Sequence, residues 1–167
     1  MRHAALALLT TVLSLGALTA ANEPANGTPA PEFGGTQFFN LPAGATKVTI
    51  ASERGRVVLL DFWATWCGPC VASMPHVIGL YKKFHDQGLD VIGHTDGSST
   101  DVAGFIKAKG IHYVISVGPD IGDAYGVTGI PHVFLIGPDG KIAWQGHPAE
   151  LEESTVAELL KKVKKPN

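Results

Sequence analysis

Apolar positions recur along this chain with two different periods, and the two periods meet near its middle. Residues 57–60 form a short run of β-branched and aliphatic side chains, as in a strand that is buried on both faces. Downstream, apolar side chains return every three or four residues, which predicts a helix whose buried face carries Val71, Met74, Val77, Ile78, Tyr81 and Phe84. The pattern therefore predicts a strand, a short turn and a helix in that order.

Further strands and helices are predicted on both sides of this unit. Upstream, short strands or a hairpin laid against the domain are predicted from the apolar residues Phe38, Phe39, Leu41, Val48 and Ile50. Downstream, Ser99 is expected to cap a helix that ends at Gly110. The other predicted elements are strands at residues 91–94, 111–117, 132–136 and 141–145, a hairpin turn at 137–140, a short helix at 120–127 and a final amphipathic helix at 150–164.

The chain's only two cysteines, Cys67 and Cys70, lie where the strand at residues 57–60 leads into the following helix. Cys67 falls at the first turn of the helix, where unpaired backbone N–H groups and the helix dipole favour a thiolate. We therefore expect Cys67 to be a nucleophile with a lowered pKa. Cys70 lies one helical turn on and is expected to be less exposed, which suits it to resolve a mixed disulfide formed at Cys67.

Two other uses of a closely spaced cysteine pair remain open. A purely structural disulfide is one, although a bridge that closes so short a loop removes little entropy from the unfolded chain. A zinc site is the other, but a structural site needs four ligands, and the seven histidines are scattered without a ligand-spaced pair. The sequence thus favours redox chemistry, and neither a metal nor a cofactor is expected.

Composition narrows the class of protein further. The chain has 167 residues, of which 45% are hydrophobic and 17% charged, and these values suit one globular domain with a proper core. The formal net charge of −2 provides no basic surface of the kind that binds nucleic acid. No nucleic-acid partner is expected.

The N-terminus predicts export. A short positive region at residues 1–3 precedes an apolar run at 4–18 and small residues at 19–21, which is the pattern of a secretory signal peptide spanning residues 1–21. An uncleaved membrane anchor is the alternative, because the apolar run is only slightly short for a membrane span. Residues 22–35 are rich in Pro, Gly and small side chains and predict a flexible linker, which leaves residues 36–167 as the folded domain.

The residues around the cysteines resemble the thioredoxin superfamily. Trp66-Cys67-Gly68-Pro69-Cys70 is the thioredoxin active-site pentapeptide, Pro75 matches the family's helix-bending proline, and Gly129-Ile130-Pro131 matches the segment that carries its cis-proline. The upstream extension and the long segment before residue 129 are similar to the exported group around TlpA, ResA and CcmG. The resemblance implies an α/β thioredoxin-like fold, in which helices flank a central mixed sheet that has an N-terminal strand extension and a central αβ insertion.

The resemblance also implies which residues form the site. Asp61 matches the buried acid beneath the second cysteine, and we expect it to accept the proton of Cys70. A strand-end acid satisfied by the backbone is the alternative. The lysine that thioredoxin places near its acid has no match here. The implied catalytic residues are Cys67, Cys70 and Asp61, and the implied substrate-binding residues are Trp66, Gly68, Pro69, Ile130 and Pro131.

The function implied by the resemblance is extracytoplasmic thiol–disulfide exchange. The chain is expected to reduce disulfides in exported proteins, such as those of cytochrome c maturation, as a monomer that receives electrons from a membrane thiol donor of the CcdA or DsbD kind. Two rival functions stay open. One is oxidation or isomerisation of secreted proteins, and the other is a non-enzymatic module that binds partners near Pro131.

Overall fold

The computed structural model describes residues 24–119 and 122–164, which build a single six-stranded sheet covered by helices. The predicted signal peptide lies outside the described residues. The strands are β1 Gln37–Phe39, β2 Val57–Phe62, β3 Leu89–Thr95, β4 Val114–Val117, β5 His132–Ile136 and β6 Ile142–Gly146. The helices are α1 Gly68–Phe84, α2 Val102–Lys109, α3 Gly122–Tyr125 and α4 Glu153–Leu160, and short 3-10 turns occupy His85–Gln87 and Pro148–Glu150.

The strands lie in the order β1-β4-β3-β2-β5-β6. Strands β2, β3 and β4 are parallel to one another, whereas β1, β5 and β6 join antiparallel to their neighbours. All six residues of β2 are buried, because this strand is paired on both edges and covered on both faces. The predicted fold class, a mixed sheet flanked by helices, is confirmed.

The two faces of the sheet are covered differently. Helices α1, α2 and α4 cover one face, and their buried side chains join Leu59, Val91, Ile115 and Leu135 in one core cluster. The other face is covered by α3 and by the segment that precedes β2, which together form a second cluster with the sheet. Side chains alternate between the two clusters along β2, as the period of a strand requires.

The segment preceding β1, predicted to be a linker, contacts the domain where the structure describes it. The N–H of Gly27 donates to the carbonyl of Ile142 at 2.7 Å, and Pro29 forms an isolated bridge with Lys141. Phe33 is buried with 4% of its surface exposed. The backbone contacts run along the edge strand β6, whereas Phe33 covers the apolar sheet face opposite α1. The domain boundary at residue 36 stays a prediction.

The N-terminal extension and the central insertion pair with each other. Strand β1 lies antiparallel to β4, with Gln37 opposite Val117 and Phe39 opposite Ile115. The side-chain amide of Asn40 then donates to the carbonyls of Ile111 and Tyr113, each at 3.0 Å. Strand β1 of the extension therefore pairs with the outer edge of β4, the strand that the insertion adds to the sheet.

Two local predictions were wrong. Val48 and Ile50 are buried, but Val48 lies in irregular backbone and Ile50 in a turn rather than in a strand, and the N–H of Ile50 donates to the side chain of Glu32 at 2.9 Å. Helix α2 is capped by Asp101 rather than by Ser99, because the side chain of Asp101 accepts the N–H of Gly104 at 3.1 Å. An apolar pattern shows which residues are buried, but a strand also needs a neighbouring edge to pair with.

Gly118 lies where the segment before β1 crosses the sheet edge. A Cβ atom at this position would lie 2.5 Å from the carbonyl oxygen of Gly34 and 3.0 Å from the Cα of Gly35. Because both obstacles are backbone atoms, Gly118→Ala is expected to destabilise the oxidised protein by about 1–3 kcal/mol in chemical denaturation. Gly79→Ala is the control, since Gly79 is an exposed helical residue with open space around it. This control is expected to stabilise the protein by about 0.5–1 kcal/mol, and equal stability of both variants would contradict the close approach.

Candidate active site

The two cysteines form a disulfide at the carboxyl end of β2, where the chain turns into α1. Cys67 is the N-cap of the helix and Cys70 lies in its first turn, with the two Cα atoms 5.3 Å apart. The Sγ of Cys67 accepts the backbone N–H of Cys70 at 3.2 Å. After reduction, the same N–H would face a Cys67 thiolate, which is the stabilisation expected at a helix N-terminus.

The two cysteines are almost equally buried, whereas the sequence predicted that Cys70 would be less exposed than Cys67. Cys67 is 4% exposed and Cys70 is 2% exposed, so neither residue stands out from the surface. The intervening Gly68 and Pro69 are both exposed, and the space around the Cα of Gly68 is open. Solvent therefore reaches this short turn between the two cysteines rather than the cysteines themselves.

The loop before β5 supplies the opposite wall of the site. The Ile130–Pro131 peptide bond is cis, as expected, and both residues are half-buried. The carbonyl oxygen of Ile130 lies 3.8 Å from the Sγ of Cys67. This proximity follows from the sheet, because His132 at the start of β5 is paired with Phe62 at the end of β2.

Trp66 is the large apolar side chain that the site exposes, with 64% of its surface accessible. Its indole N–H donates to the hydroxyl of Ser98 at 2.9 Å, and that hydroxyl is in turn bonded to the carboxylate of Asp96. The hydroxyl of Ser99 accepts the N–H of Thr65 at 3.1 Å. The loop between β3 and α2 therefore holds Trp66 in place, a role that the sequence analysis missed when it assigned Ser99 to a helix cap.

A groove of about 210 Å³ lies between Trp66, which precedes Cys67, and Ile130 of the cis-proline loop. Its walls are mostly apolar, with polar groups from the end of β3. The residues that line it include Ala64, Trp66, Asp96, Val127, Gly129 and Ile130.

Asp61 lies one residue before the end of β2, and 3% of its surface is exposed. Its register opposite Gly93 and Val133 places it on the sheet face that α1 covers. Burial raises the pKa of its carboxyl from 3.8 to about 7. Within residues 24–119 and 122–164, its Oδ1 atom has no hydrogen-bond partner, which does not support the alternative of an acid satisfied by the backbone. A group with this pKa can gain or lose a proton near neutral pH.

Tyr113 was not recognised as a functional candidate from the sequence. It is 1% exposed, and burial together with the negative charge of Asp61 raises the pKa of its phenol well above the usual value. Its only signal in the sequence is a hydroxyl-bearing aromatic residue inside the apolar run at 111–117.

The described parts of the chain contain neither a cluster of metal ligands nor a membrane-spanning helix. There, no group of three or more His, Cys, Asp or Glu side chains is placed to hold a metal ion. Likewise, none of the helices in residues 24–119 and 122–164 is long and apolar enough to cross a membrane.

Comparison with known proteins places this geometry in a family context. Residues 25–162 match the family model described as Redoxin. The thiol-disulfide oxidoreductase ResA of Bacillus thuringiensis subsp. konkukian (strain 97-27) is 35% identical over 121 residues, which are 70% of this chain and 69% of that protein.

Solved structures agree with the sequence comparison. A Chlorobium tepidum protein assigned as the thiol:disulfide interchange protein DsbE superposes with a TM-score of 0.70 at 30% identity, covering 81% of this chain and 98% of the other. A Bacteroides thetaiotaomicron protein assigned as a protein disulfide isomerase has a TM-score of 0.67, also at 30% identity, covering 82% of this chain and 91% of the other.

The raised pKa of Asp61 predicts how stability depends on pH. The folded state holds this proton up to about pH 7, whereas the unfolded state releases it near pH 4, so the stability associated with Asp61 falls as pH rises through this interval. Asp61→Asn removes the penalty and should stabilise the oxidised protein at pH 8, by up to about 4 kcal/mol more than at pH 4.

Chemical denaturation at the two pH values measures this difference. The control is Asp86→Asn, which removes an exposed acid and is expected to have a small effect at both pH values. If Asp61→Asn gave the same change in the free energy of unfolding at pH 4 and pH 8, Asp61 would not carry a raised pKa.

Proposed function

This chain belongs to the Redoxin family of thioredoxin-like proteins, and from that membership we propose that it reduces disulfide bonds in exported proteins. It is a thiol–disulfide oxidoreductase of the ResA and DsbE type, with a single Cys-x-x-Cys pair. The observation that carries the proposal is the Cys67–Cys70 disulfide, which lies at a helix N-cap and faces the carbonyl of Ile130.

In the proposed reaction, the Cys67 thiolate attacks one sulfur of a substrate disulfide. The new bond joins Cys67 to the substrate, and the second substrate sulfur leaves as a thiolate that takes a proton from solvent. The Cys70 thiolate then attacks Cys67, which closes the Cys67–Cys70 bridge and releases the substrate as a dithiol. Two electrons pass from this protein to its substrate, and no cofactor takes part.

Asp61 supplies the base for the second step of this reaction. Cys70 is buried and must lose its proton before it can attack. The ionised carboxylate of Asp61 takes that proton and becomes a neutral acid, the form that its apolar surroundings favour below about pH 7. This role is supported by the position of Asp61 on the face that α1 covers.

The surroundings of Cys67 favour a reductant over an oxidant. A strongly oxidising pair needs a stabilised thiolate in its reduced form, as in DsbA. Here, one N–H group stabilises the Cys67 thiolate, whereas burial and the nearby carbonyl oxygen of Ile130 oppose its negative charge. The Gly68-Pro69 pair between the cysteines also matches thioredoxin, which is a reductant.

Substrate binding is assigned to the groove between Trp66 and Ile130. The exposed turn at Gly68 and Pro69 admits the substrate sulfur, and Trp66 covers one side of the approaching chain. The cis bond at Pro131 turns the backbone of Ile130 toward Cys67, where its polar groups can pair with an extended substrate segment. This mode of binding uses backbone contacts and therefore suits several protein substrates.

The compartment in which the reductase acts determines its electron donor and its substrates. With the predicted signal at residues 1–21, the protein would act in the periplasm or another extracytoplasmic space, cleaved or held by an anchor. It would receive electrons from a membrane thiol donor of the CcdA or DsbD kind. Its substrates would then be disulfides of cytochrome c precursors or related redox partners.

A disulfide isomerase or oxidase is the second candidate function, favoured by the similarity to the Bacteroides thetaiotaomicron protein. The reduction potential of the Cys67–Cys70 pair distinguishes these functions, measured by equilibrating residues 22–167 against defined glutathione or dithiothreitol ratios. A reductase is expected to lie below roughly −230 mV. A potential above roughly −170 mV would instead identify an oxidase or isomerase.

The two cysteines are expected to behave differently when each is replaced alone. Cys70→Ser should accumulate a mixed disulfide with a model peptide disulfide, because the resolving thiol is missing, whereas Cys67→Ser should form little of it. Non-reducing electrophoresis and intact mass measure the trapped species. The opposite result would reverse the assigned roles. Equal retention of cellular function by both single variants and the double variant would favour a non-enzymatic binding module.

A further inference from the structure

Three buried polar side-chain atoms lie on the face of the sheet that α1 covers. They are the Oδ1 of Asp61, the Nε1 of Trp63 and the hydroxyl of Tyr113, and none of them has a hydrogen-bond partner among the residues that the structure describes. The three residues are 3%, 2% and 1% exposed, respectively. Buried polar groups in proteins are nearly always paired, so three unpaired ones on one face point to a shared role.

The register of the sheet brings these atoms into one region. Asp61 in β2 is paired with Gly93 in β3, which is paired with Ile115 in β4. Tyr113 precedes Ile115 by two residues and therefore shares its face. A Cβ atom at Gly93 would lie 2.8 Å from the indole nitrogen of Trp63, so that the N–H group lies directly over the strand beside Asp61.

Tyr113 is held firmly in this position. Its carbonyl accepts the side-chain amide of Asn40 at 3.0 Å, and its ring packs edge-on against Tyr81 of α1, with the ring centroids 5.8 Å apart. The raised pKa of its phenol means that Tyr113 keeps its proton throughout the neutral range. It is therefore a permanent hydroxyl dipole within electrostatic reach of Asp61.

Few other ionisable groups face Asp61 within residues 24–119 and 122–164. The paired positions in β3 and β5 are Gly93 and Val133, which cannot ionise. Helix α1 and its N-cap contribute Cys67 and Cys70, joined as a disulfide, and the half-buried Tyr81. The buried side chains that α2 and α4 contribute to this cluster are apolar: Val102, Ile106, Val156 and Leu159.

We propose that Tyr113 is a positioning residue for Asp61, and that its hydroxyl dipole stabilises the ionised carboxylate and so sets the pH at which Asp61 exchanges its proton. This inference rests on the proposed function only in giving that proton to Cys70. In the transfer, the thiol of Cys70 becomes a thiolate and the carboxylate of Asp61 becomes a neutral acid. Tyr113 keeps its own proton throughout and acts through space, where the low dielectric of the interior strengthens its dipole.

The direct test is the pKa of Asp61 in the oxidised protein, measured by nuclear magnetic resonance of carbon-13-labelled carboxyl groups and assigned with Asp61→Asn. Tyr113→Phe removes the dipole and keeps the ring. It is expected to raise the pKa of Asp61 by about one pH unit, because the ionised form loses a stabilising partner. An unchanged pKa in this variant would overturn the proposal.

Tyr81→Phe is the matched control. Tyr81 belongs to the same ring pair, but it is half-buried. Burial and the nearby charges of Asp90 and Asp86 raise the pKa of its phenol, and Asp61 is not among the causes. This variant is expected to leave the pKa of Asp61 unchanged. An equal shift in both variants would mean that general loosening of the ring pair is responsible, and would overturn the specific role of Tyr113.

A second measurement separates this inference from the proposed function. The pH profile of substrate reduction should move upward in Tyr113→Phe by the same amount as the pKa of Asp61, and should not respond to Tyr113→Phe in an Asp61→Asn background. If the pKa moved but the pH profile did not, the role of Tyr113 toward Asp61 would stand and the proton role of Asp61 would fall.

Discussion

Strand β2 is hydrogen-bonded on both edges and buried along its whole length, and each part of the active site takes its position from it. Its parallel pairing with β3 requires a crossover, and α1 is that crossover, so the cysteines lie where the strand ends and the helix begins. Its antiparallel pairing with β5 brings the cis-proline loop to the same end. The position of the disulfide and that of the cis-proline loop facing it are thus both set by the pairing of β2.

The burial of β2 also explains the raised pKa of Asp61. A carboxyl group on a fully covered central strand is poorly solvated, and this burial raises its pKa to about 7. The fold carries this acid at a cost in stability that grows as the pH rises. Packing offers no reason for a carboxyl group at this position, which is why we propose a function for Asp61.

The edge of the sheet farthest from β6 serves the site indirectly. Strand β4 and helix α2 extend the sheet, and β1 closes the new edge, so that Asn40 can hold the backbone of Tyr113. The loop that leads into α2 binds Trp66 and Thr65 through Ser98 and Ser99. The insertion therefore contacts the active-site turn directly through this loop, and in our proposal it also acts on Asp61 through Tyr113.

Local signals along the chain were enough to predict the redox chemistry and the central strand and helix. Cys67, Cys70 and the apolar runs around them are local signals, and a resemblance carried by residues 66–70 and 129–131 was enough to predict the fold class and the cis bond. The sequence could not determine that residues 48–50 lack a strand partner, because pairing depends on which edge is free in the folded sheet. Nor could it show that the hydroxyl of Ser99 accepts the N–H of Thr65, or that Tyr113 shares a sheet face with Asp61. The members of these pairs are 34 and 52 positions apart along the chain and are brought together only by the folded sheet. Residue types can be read directly from the sequence. The neighbours of a buried polar group depend on how the strands pair and the helices pack, so only the folded structure shows them.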